Sequence, residues 1–367
     1  MNKNIKAKAL YIHIPFCQHI CDYCDFPKLQ YFTIFAKPYL KKLKEELDSY
    51  QIKHQLDTIY VGGGTPTSLD DVLFLELLEI IKQYTKGIKE YIFECNPESL
   101  SLSKLNMMER YGVNRLSIGV ESTNDDILRS INRHHTFLDV QNAVKTAKSV
   151  GIDNINVDLI LGLPGTDIET IEKDLDNILS LDIKHISCYS LTVNPNTVFH
   201  LKGIKEVDGD ISRSFYDLVE EKLKANGFIH YEISNWAKEG FESRHNFTYW
   251  NNEQYYGIGL GASGYLNDVR YTNTKSINEY LKGNFINEEG KITSLDDREY
   301  QIMLNLRTNR GIDLNQFKDK FNYDLLENKR DIILQLEKEK LLEVKNEHLI
   351  ATFEGMMVLD QIIFKLI

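Results

Sequence analysis

The chain has 367 residues, of which 42% are hydrophobic and 26% are charged, and its formal net charge is −11. This length suits one large domain plus a smaller one, and the composition is that of an ordinary globular protein. The negative charge disfavours general binding to nucleic acid or to an anionic membrane surface, because phosphate groups would be repelled.

Two further features of the composition bear on the cellular location. No apolar stretch approaches the roughly 20 residues that a membrane-spanning helix needs. The basic residues 1–8 are not followed by the apolar core and small-residue cleavage site of a signal peptide. We therefore expect a cytoplasmic protein without a transmembrane segment.

Short apolar runs rich in β-branched residues alternate with longer amphipathic runs in the first part of the chain. They predict six strands, at residues 10–14, 58–61, 91–95, 116–120, 155–160 and 186–191. Six successive strand–helix units predict parallel pairing and a sheet that curves towards a partial barrel, with functional residues at the carboxyl ends of its strands. Apolar residues at helical spacing predict the helices between the strands: Leu40, Leu43 and Leu47; Leu73, Leu77, Leu78 and Ile81; and Ile211, Phe215, Leu218 and Val219.

The pattern changes at about residue 293. Helical runs continue, a hairpin is predicted over residues 341–352, and an apolar helix is predicted over residues 356–366. Helices with a small β-wing are typical of a winged-helix-like domain. The net charge disfavours DNA binding by this domain, so we expect a cap packed on the barrel. The predicted divisions are 1–235 for the barrel, 236–292 for a connecting segment, and 293–367 for the cap.

Three cysteines lie within eight residues, with the spacing CxxxCxxC, at Cys17, Cys21 and Cys24. Three thiolates can hold three irons of a four-iron cluster and leave the fourth iron open to another ligand. A disulfide is disfavoured in a chain with five cysteines and no secretory signal. A structural zinc site with His13 or His19 as fourth ligand is an alternative, although zinc modules usually use two separated cysteine pairs.

The other two cysteines, Cys95 and Cys188, fall within predicted strands. An isolated cysteine in a strand usually behaves as a small buried hydrophobic residue. We expect both to be buried and unreactive.

Further polar or glycine-rich segments follow the predicted strands. The residues 62–66, Gly-Gly-Gly-Thr-Pro, come after the second strand, where glycines permit close backbone approach and exposed N–H groups can hold an anion. They do not form a P-loop, because no lysine follows at the required spacing. Glu94, Glu121, Arg133 and Asp158 lie at strand ends or on the segment that follows. Together these residues predict a polar rim around the cysteine loop.

The segment 244–250 reads Arg-His-Asn-Phe-Thr-Tyr-Trp and carries the pattern HNxxYW. A neutral imidazole such as that of His245 is a standard axial ligand of heme iron, and Tyr249 and Trp250 offer flat faces to a porphyrin. The alternative is an ordinary buried histidine beside two aromatic side chains.

These motifs together resemble the radical SAM enzymes over most of the chain. The resemblance rests on residues 11–26 with their CxxxCxxC spacing, the GGGTP segment, and residues 115–120 and 158–164. The branch is that of the oxygen-independent coproporphyrinogen III oxidases and the heme chaperones. It implies an α/β fold, a partial (β/α)6 radical SAM barrel with a C-terminal, mainly α, winged-helix-like domain.

The resemblance also implies cofactors and their contacts. A 4Fe-4S cluster would be bound by Cys17, Cys21 and Cys24. S-adenosyl-L-methionine (SAM) would be contacted by Tyr11, Gly63, Gly64, Thr65, Glu94, Arg133 and Asp158, and also at Glu121, where the family has a glutamine.

Two details separate the two activities of this branch. The oxidases continue the motif with a further cysteine, where this chain has Phe26. The HNxxYW pattern is similar to the heme-binding motif of the chaperones, which implies heme contacts at His245, Asn246, Tyr249 and Trp250. The resemblance thus predicts a heme chaperone that transfers heme to acceptor proteins.

The same resemblance suggests the partners. We expect heme-accepting proteins, an electron donor such as flavodoxin or ferredoxin, peripheral contact with membrane heme enzymes, and no nucleic acid. Two alternatives stay open: oxidative decarboxylation of coproporphyrinogen III, and a structural zinc protein with an interaction cap.

Overall fold

The structure is a computed structural model that describes residues 7–367. Residues 1–6 of the basic N-terminal segment lie outside the described residues. Within residues 7–367, no helix is both long enough and apolar enough to cross a membrane.

Most of the strands belong to one large sheet. The strands are β1 (Ala9–Ile14), β2 (Phe16–Cys17), β3 (Leu29–Gln30), β4 (Thr58–Gly63), β5 (Glu90–Cys95), β6 (Arg115–Glu121), β7 (Ile155–Leu161), β8 (His185–Ser190), β9 (Ile229–Glu232), β10 (Asn235–Ala237), β11 (Tyr255–Ile258), β12 (Ser263–Leu266), β13 (Val269–Asn273), β14 (Ile286–Lys291), β15 (Ile312–Asp313), β16 (Leu342–Lys345) and β17 (His348–Ala351). The large sheet has the order β14-β13-β12-β11-β1-β4-β5-β6-β7-β8-β10-β9.

The centre of this sheet is parallel, from β11 through β1, β4, β5, β6 and β7 to β8. Antiparallel strands extend it at both ends. The six predicted strands correspond to β1, β4, β5, β6, β7 and β8, with ends that differ by at most two residues. The predicted α/β fold with successive parallel strand–helix units is therefore confirmed.

The helices cover the outer face of the sheet and form most of the C-terminal part. They are α1 (Thr33–Ser49), α2 (Asp71–Lys82), α3 (Leu102–Arg110), α4 (Asp125–Ser130), α5 (Phe137–Ser149), α6 (Ile168–Leu179), α7 (Val198–Leu201), α8 (Gly209–Ala225), α9 (Arg244–Trp250), α10 (Ile277–Lys282), α11 (Ser294–Asn305), α12 (Leu314–Phe321), α13 (Leu325–Asn328), α14 (Arg330–Lys338), α15 (Phe353–Met357) and α16 (Leu359–Leu366). Leu40, Leu43 and Leu47 of α1 are buried as their spacing predicted, whereas Ile211 of α8 is exposed.

The central strands alternate between two kinds of side chain. On β4 and β5, Ile59, Val61 and Phe93 belong to the apolar core, whereas Tyr60 and Glu94 line an internal cavity. Parallel strands covered by helices on both faces usually read as continuous apolar runs. Here one face packs against helices and the other surrounds a polar cavity, so apolar and polar residues alternate.

A buried carboxylate joins the first helix to the far end of the sheet. The Glu46 side chain on α1 accepts hydrogen bonds from the Gly259 N–H at 3.0 Å, the Asn273 amide at 2.6 Å and the Tyr280 hydroxyl at 2.5 Å. The predicted connecting segment, residues 236–292, contributes most of β10 and all of β11 to β14 to the large sheet. The three-part division of the chain stays a prediction.

The C-terminal part has a separate apolar core, which includes Ile302, Leu336 and Ile362. Its small sheet has the order β15-β17-β16, and β16 and β17 form the predicted hairpin. The predicted helix over 356–366 is wrong in one respect, because it is two helices. The break lies at Val358, whose φ of −125° and ψ of 27° leave the helical conformation.

Candidate functional site

The loop that carries the three cysteines follows β1, and the His13 side chain is hydrogen-bonded to the end of this loop. The Nε2 of His13 lies 2.7 Å from the Pro27 carbonyl oxygen, and its Nδ1 lies 2.9 Å from the Tyr11 hydroxyl. A carbonyl only accepts, so Nε2 carries the proton and Nδ1 accepts from Tyr11. Burial lowers the pKa of His13 to about 4. The imidazole is therefore neutral, with both nitrogens engaged inside the protein.

The three cysteine side chains face one cavity of about 430 Å³. The Thr65 hydroxyl lies 3.8 Å from the Cys17 sulfur, and an Arg133 nitrogen lies 3.7 Å from the Cys21 sulfur. Burial raises the pKa of the Cys17 thiol to about 12 and that of the Cys24 thiol to about 11. Deprotonating these buried thiols requires a positive centre, which the irons of a cluster would provide. The cysteine loop therefore fits an iron–sulfur cluster.

The same side chains give no support to the single-ion zinc alternative. Among residues 7–367, no three His, Cys, Asp or Glu side chains are arranged to hold one metal ion. Each thiolate of a cubane binds a different iron, so a cluster does not require the sulfurs to converge on one point. Both nitrogens of His13 are hydrogen-bonded, and the His19 ring stacks on His134 at 3.8 Å.

The glycine segment after β4 packs directly against the cysteine loop. A Cβ at Gly64 would lie 2.8 Å from the Pro15 carbonyl carbon and 2.9 Å from the Cys17 sulfur. Gly63 has a φ of +115°, and a Cβ there would lie 2.6 Å from the His13 ring. The glycines are therefore needed where two loops meet, in addition to any approach to a ligand.

The Glu94 carboxylate lies at the carboxyl end of β5. Its two oxygens accept hydrogen bonds from the Tyr60 hydroxyl at 2.7 Å and from the Gly63 N–H at 2.8 Å. Burial, together with the charges of Asp158 and Glu121, raises the pKa of Glu94 to about 7. The two hydrogen bonds act in the opposite direction and limit this increase. A cation bound nearby would favour the ionised form.

The Arg133 guanidinium is buried beside β6. It donates to the Glu121 carboxylate at 3.0 Å and to the Asn96 amide oxygen at 3.0 Å. Glu121 lies at an irregularity in the pairing of β6 with β7, with a φ of +68°. The Nε of Arg133 is buried without a hydrogen-bond partner. One guanidinium donor is therefore left for another acceptor.

Asp158 completes the acidic side of the cavity. Its oxygens accept from the Ser117 hydroxyl at 3.1 Å and the Asn156 amide at 2.7 Å. Burial, together with the charge of Glu121, raises the pKa of Asp158 to about 6. Glu94, Glu121 and Asp158 thus face one cavity, which Lys28, Arg115 and Arg133 also line. Arg133 is paired with Glu121, whereas no cation among residues 7–367 forms an ion pair with Glu94 or Asp158. These two carboxyl groups therefore suit a cationic ligand such as a sulfonium.

Most of the residues that the sequence singles out around the cysteines line this cavity. They are Cys17, Cys21, Cys24, Gly63, Gly64, Thr65, Glu94, Glu121, Arg133 and Asp158. Tyr11 does not line it, and its hydroxyl contacts His13 instead. Cys95 and Cys188 are buried, as predicted.

Sequence reasoning missed several polar residues that line the cavity below the rim. They are Tyr60, Asn96, Ser117, Asn156, Ser187, Tyr189 and Asn235. Several of them occupy alternate positions of otherwise apolar strands, as in the run Asn156-Val157-Asp158. Period-two alternation in a parallel strand was the signal that could have found them.

Helix α9, which carries the HNxxYW pattern, lies at the opposite end of the barrel. The ring of His245 contacts Thr58, the first residue of β4, and its backbone N–H donates to Glu90, the first residue of β5, at 2.8 Å. This helix therefore covers the amino ends of β4 and β5. Asn246 lines the cavity, whereas His245, Tyr249 and Trp250 do not.

The sequence resembles known families and proteins over almost its full length. Residues 11–178 match the Radical SAM superfamily, and residues 276–358 match the HemN C-terminal domain. The heme chaperone HemW of Bacillus subtilis (strain 168) is 37% identical, with 97% of this chain and 98% of the relative covered. HemW of Lactococcus lactis subsp. lactis is 37% identical over 95% and 94% of the two chains. HemW of Escherichia coli (strain K12) is 31% identical over 81% of each.

The chain belongs to the HemW family. In structure it is also similar to the coproporphyrinogen III oxidase HemN from Escherichia coli, with a TM-score of 0.86, 20% sequence identity, and 98% and 89% of the two chains covered. That likeness confirms the radical SAM fold. This chain and the oxidase therefore share one architecture, and the fold alone does not distinguish a chaperone from an oxidase.

In this HemW family member, the histidine of the HNxxYW pattern is inaccessible in the structure. His245 is 0% exposed, its Nδ1 lies 2.8 Å from the Thr58 hydroxyl, and its Nε2 lies 2.8 Å from the Tyr249 hydroxyl. Burial lowers the pKa of His245 to about 3, so the ring is neutral. Neither nitrogen is free to bind iron, and this arrangement does not fit a heme. Ligation by His245 stays a prediction that requires these two hydrogen bonds to break.

Proposed function

We propose that this protein binds heme and transfers it to acceptor proteins. The observation that carries the proposal is its similarity, over nearly the full length of both chains, to relatives named heme chaperone HemW. The residues that follow the cysteine motif add support, because Phe26 stands where the oxidases have a further cysteine.

We further propose that Cys17, Cys21 and Cys24 bind a 4Fe-4S cluster with one open iron. When bound, the cluster and SAM together would supply reductive cleavage of a sulfonium carbon–sulfur bond. The part of this chain is to bind and orient them and to limit access by water. Closure of the barrel floor by α9 and burial of the Cys17 sulfur support this role.

The proposed SAM contacts are the residues that surround the cavity. The N–H groups of Gly64 and Thr65 already donate to the Ile14 and Phe16 carbonyl oxygens at 2.8 Å, so the expected anion contact through these N–H groups is not open. The unpartnered Nε of Arg133 suits the SAM carboxylate instead. The carboxylates of Glu94 and Asp158 suit an amino group or a sulfonium. Tyr11 is proposed to act at a distance, through His13.

Heme contact by His245, Asn246, Tyr249 and Trp250 is proposed only for a state in which α9 has opened. In the closed state the ring nitrogen of Trp250 is buried without a hydrogen-bond partner. The backbone carbonyl oxygen of Trp250 accepts a hydrogen bond from the Asn305 amide on α11 at 2.7 Å. Because α11 belongs to the predicted C-terminal cap, we propose that α9 opens first at its contact with α11.

The remaining proposals concern partners and location. Heme-accepting proteins, peripheral contact with membrane heme enzymes, and a flavodoxin- or ferredoxin-type electron donor follow from the proposed chemistry. We propose a cytoplasmic location and a division into a barrel, a connecting segment and a cap.

The proposal is tested by heme titration of the anaerobically reconstituted protein, followed by absorption spectroscopy in the Soret region. A saturable spectral change with stoichiometric heme is expected. The heme-loaded protein should then lose heme to a heme-free cytochrome added in excess. Absence of any saturable heme binding would contradict the proposal.

A further inference from the structure

We infer that His245 and Tyr60 act as positioning residues for the Glu94 carboxylate, so that the floor of the barrel sets the geometry of the cofactor cavity. The inference deepens the function proposed above and rests on it in one respect, because the principal measurement uses SAM binding. It does not depend on whether His245 ever ligates heme.

The relay begins at a histidine that is fixed from both sides. The Nδ1 and Nε2 of His245 are paired with the hydroxyls of Thr58 and Tyr249, each at 2.8 Å. A neutral imidazole has one donor and one acceptor nitrogen, so one hydroxyl accepts and the other donates. The backbone N–H of His245 is also bound, to Glu90 at 2.8 Å. The ring therefore has little freedom to rotate or shift.

The fixed ring packs against the next member of the relay. The ring centroid of Tyr60 lies 5.2 Å from that of His245 and 5.9 Å from that of Tyr11. Tyr60 therefore lies between two aromatic neighbours, which limit where its hydroxyl can point. Burial raises the pKa of Tyr60 well above its ordinary value, and the charge of Glu94 raises it further. The hydroxyl consequently stays protonated and can donate.

The last member is the Glu94 carboxylate, which connects the floor to the rim. One oxygen accepts from the Tyr60 hydroxyl at 2.7 Å, and the other accepts from the Gly63 N–H at 2.8 Å. Gly63 is next to Gly64, which packs on Cys17 of the cysteine loop. A shift of Tyr60 would therefore reach the loop that adjoins the cluster site.

Tyr60 and His245 are called positioning residues for a specific reason. His245 does not line the cavity, and the Tyr60 hydroxyl is already committed to the Glu94 carboxylate. Without that hydrogen bond, a buried carboxylate loses one of its two donors and its ionised form becomes less favourable. We expect weaker attraction for a cationic ligand, while Tyr60→Phe keeps the aromatic ring that lines the cavity.

The experiment measures SAM binding to the anaerobically reconstituted protein by calorimetry. Tyr60→Phe should weaken SAM binding about tenfold, which corresponds to one hydrogen bond to a charged group. His245→Ala should weaken it severalfold. In the double variant Tyr60→Phe/His245→Ala, the loss should not exceed that of Tyr60→Phe alone, because both act through one carboxylate. Additive losses, or no loss in either single variant, would overturn the inference.

The matched control is Tyr91→Phe. Tyr91 is a buried tyrosine on β5, the strand that carries Glu94, and its hydroxyl has no hydrogen-bond partner. This variant should bind SAM as the wild type does. If His245→Ala does not fold, as judged by its thermal midpoint, Thr58→Val tests the same link, because Thr58 holds the His245 Nδ1.

A second measurement separates failure of the inference from failure of the proposed function. The infrared carboxyl band of Glu94, assigned by its loss in Glu94→Gln, reports protonation of this group without SAM. Asp158, Glu121, Tyr60 and Gly63 act on this carboxyl. Tyr60→Phe should move its titration to higher pH, and an unmoved band would contradict the relay. If Tyr60→Phe moves the titration of this band but the wild-type protein binds no SAM, only the proposed cofactor is contradicted.

Discussion

The Arg133 guanidinium contacts the Glu121 carboxylate at 3.0 Å inside the barrel, and both side chains are largely buried. Another nitrogen of Arg133 lies 3.7 Å from the Cys21 sulfur. Arg133 thus connects the Glu121 carboxylate to the loop that carries the three cysteines. The Glu121 carboxylate, at a position where the resemblance implies a glutamine, is paired with a guanidinium that Glu98 also attracts.

The first prediction concerns this pair. Glu121→Gln keeps an oxygen that can accept from Arg133, so we expect SAM affinity to change less than about threefold. The variant should lose stability on the order of 1–3 kcal/mol, because a buried cation loses its ionised partner. Calorimetry and thermal unfolding measure the two effects. Asp182→Asn, at an exposed ion pair, is the control and should change neither. A SAM loss beyond tenfold would mean that the ligand needs the Glu121 carboxylate.

The second prediction concerns the cluster. Anaerobic reconstitution should yield about four irons and four sulfides per chain, the content of one cubane. Cys17→Ala, Cys21→Ala and Cys24→Ala should each abolish this content, whereas Cys95→Ala and Cys188→Ala should keep it. Iron and sulfide quantitation decides the outcome. Zinc in place of iron in the anaerobically prepared wild type would support the single-ion alternative instead.

The third prediction concerns the glycine segment. Gly64→Val places side-chain atoms where the Pro15 carbonyl carbon and the Cys17 sulfur already lie within 2.9 Å of a Cβ. We expect reduced cluster occupancy together with weaker SAM binding, because the two loops must separate. Gly290→Val is the control, since a Cβ at this exposed position meets nothing within 4 Å. Equal cluster content and SAM affinity in Gly64→Val and wild type would show that the loops tolerate separation.

The fourth prediction uses the pKa of Glu94, which burial raises from 4.5 to about 7. Between these values the folded protein retains a proton that the unfolded chain releases, so the folded state loses stability as pH rises. Above pH 7 the full effect is on the order of 3 kcal/mol. Glu94→Gln avoids it, so the variant should exceed the wild type in thermal midpoint at about pH 8 and match it at about pH 5, while binding SAM more weakly. A variant less stable than wild type at both pH values would contradict this reasoning.

Much of the fold and the rim of the site follow from local sequence signals. The six central strands are short β-branched runs, and Cys17, Cys21 and Cys24 reveal themselves by spacing alone. The GGGTP segment and Glu94 are found because they lie at the carboxyl ends of β4 and β5, which meet at one edge. Asp158, which was expected near a strand end, lies instead in the middle of β7. Such features depend on neighbours in the chain, so a linear reading finds them.

Other features depend on contacts between distant residues. Nothing within residues 244–250 indicates that His245 pairs with Thr58, which is 187 positions away. The HNxxYW pattern reads as an accessible ligand set, but tertiary packing places it at the closed floor. The role of Tyr60 was missed for a related reason, because its partner Glu94 belongs to the next strand. The break at Val358 was missed because apolar periodicity continues through it.

The central claim is heme binding by a radical SAM protein that is not an oxidase. The most direct measurement divides one reconstituted sample, supplied with SAM and a low-potential reductant, into two reactions. One reaction receives heme, and the other receives coproporphyrinogen III. The account predicts a saturable Soret change with heme and no decarboxylated porphyrinogen by mass spectrometry. Decarboxylation of coproporphyrinogen III by a protein that binds no heme would contradict it and would establish the oxidase instead.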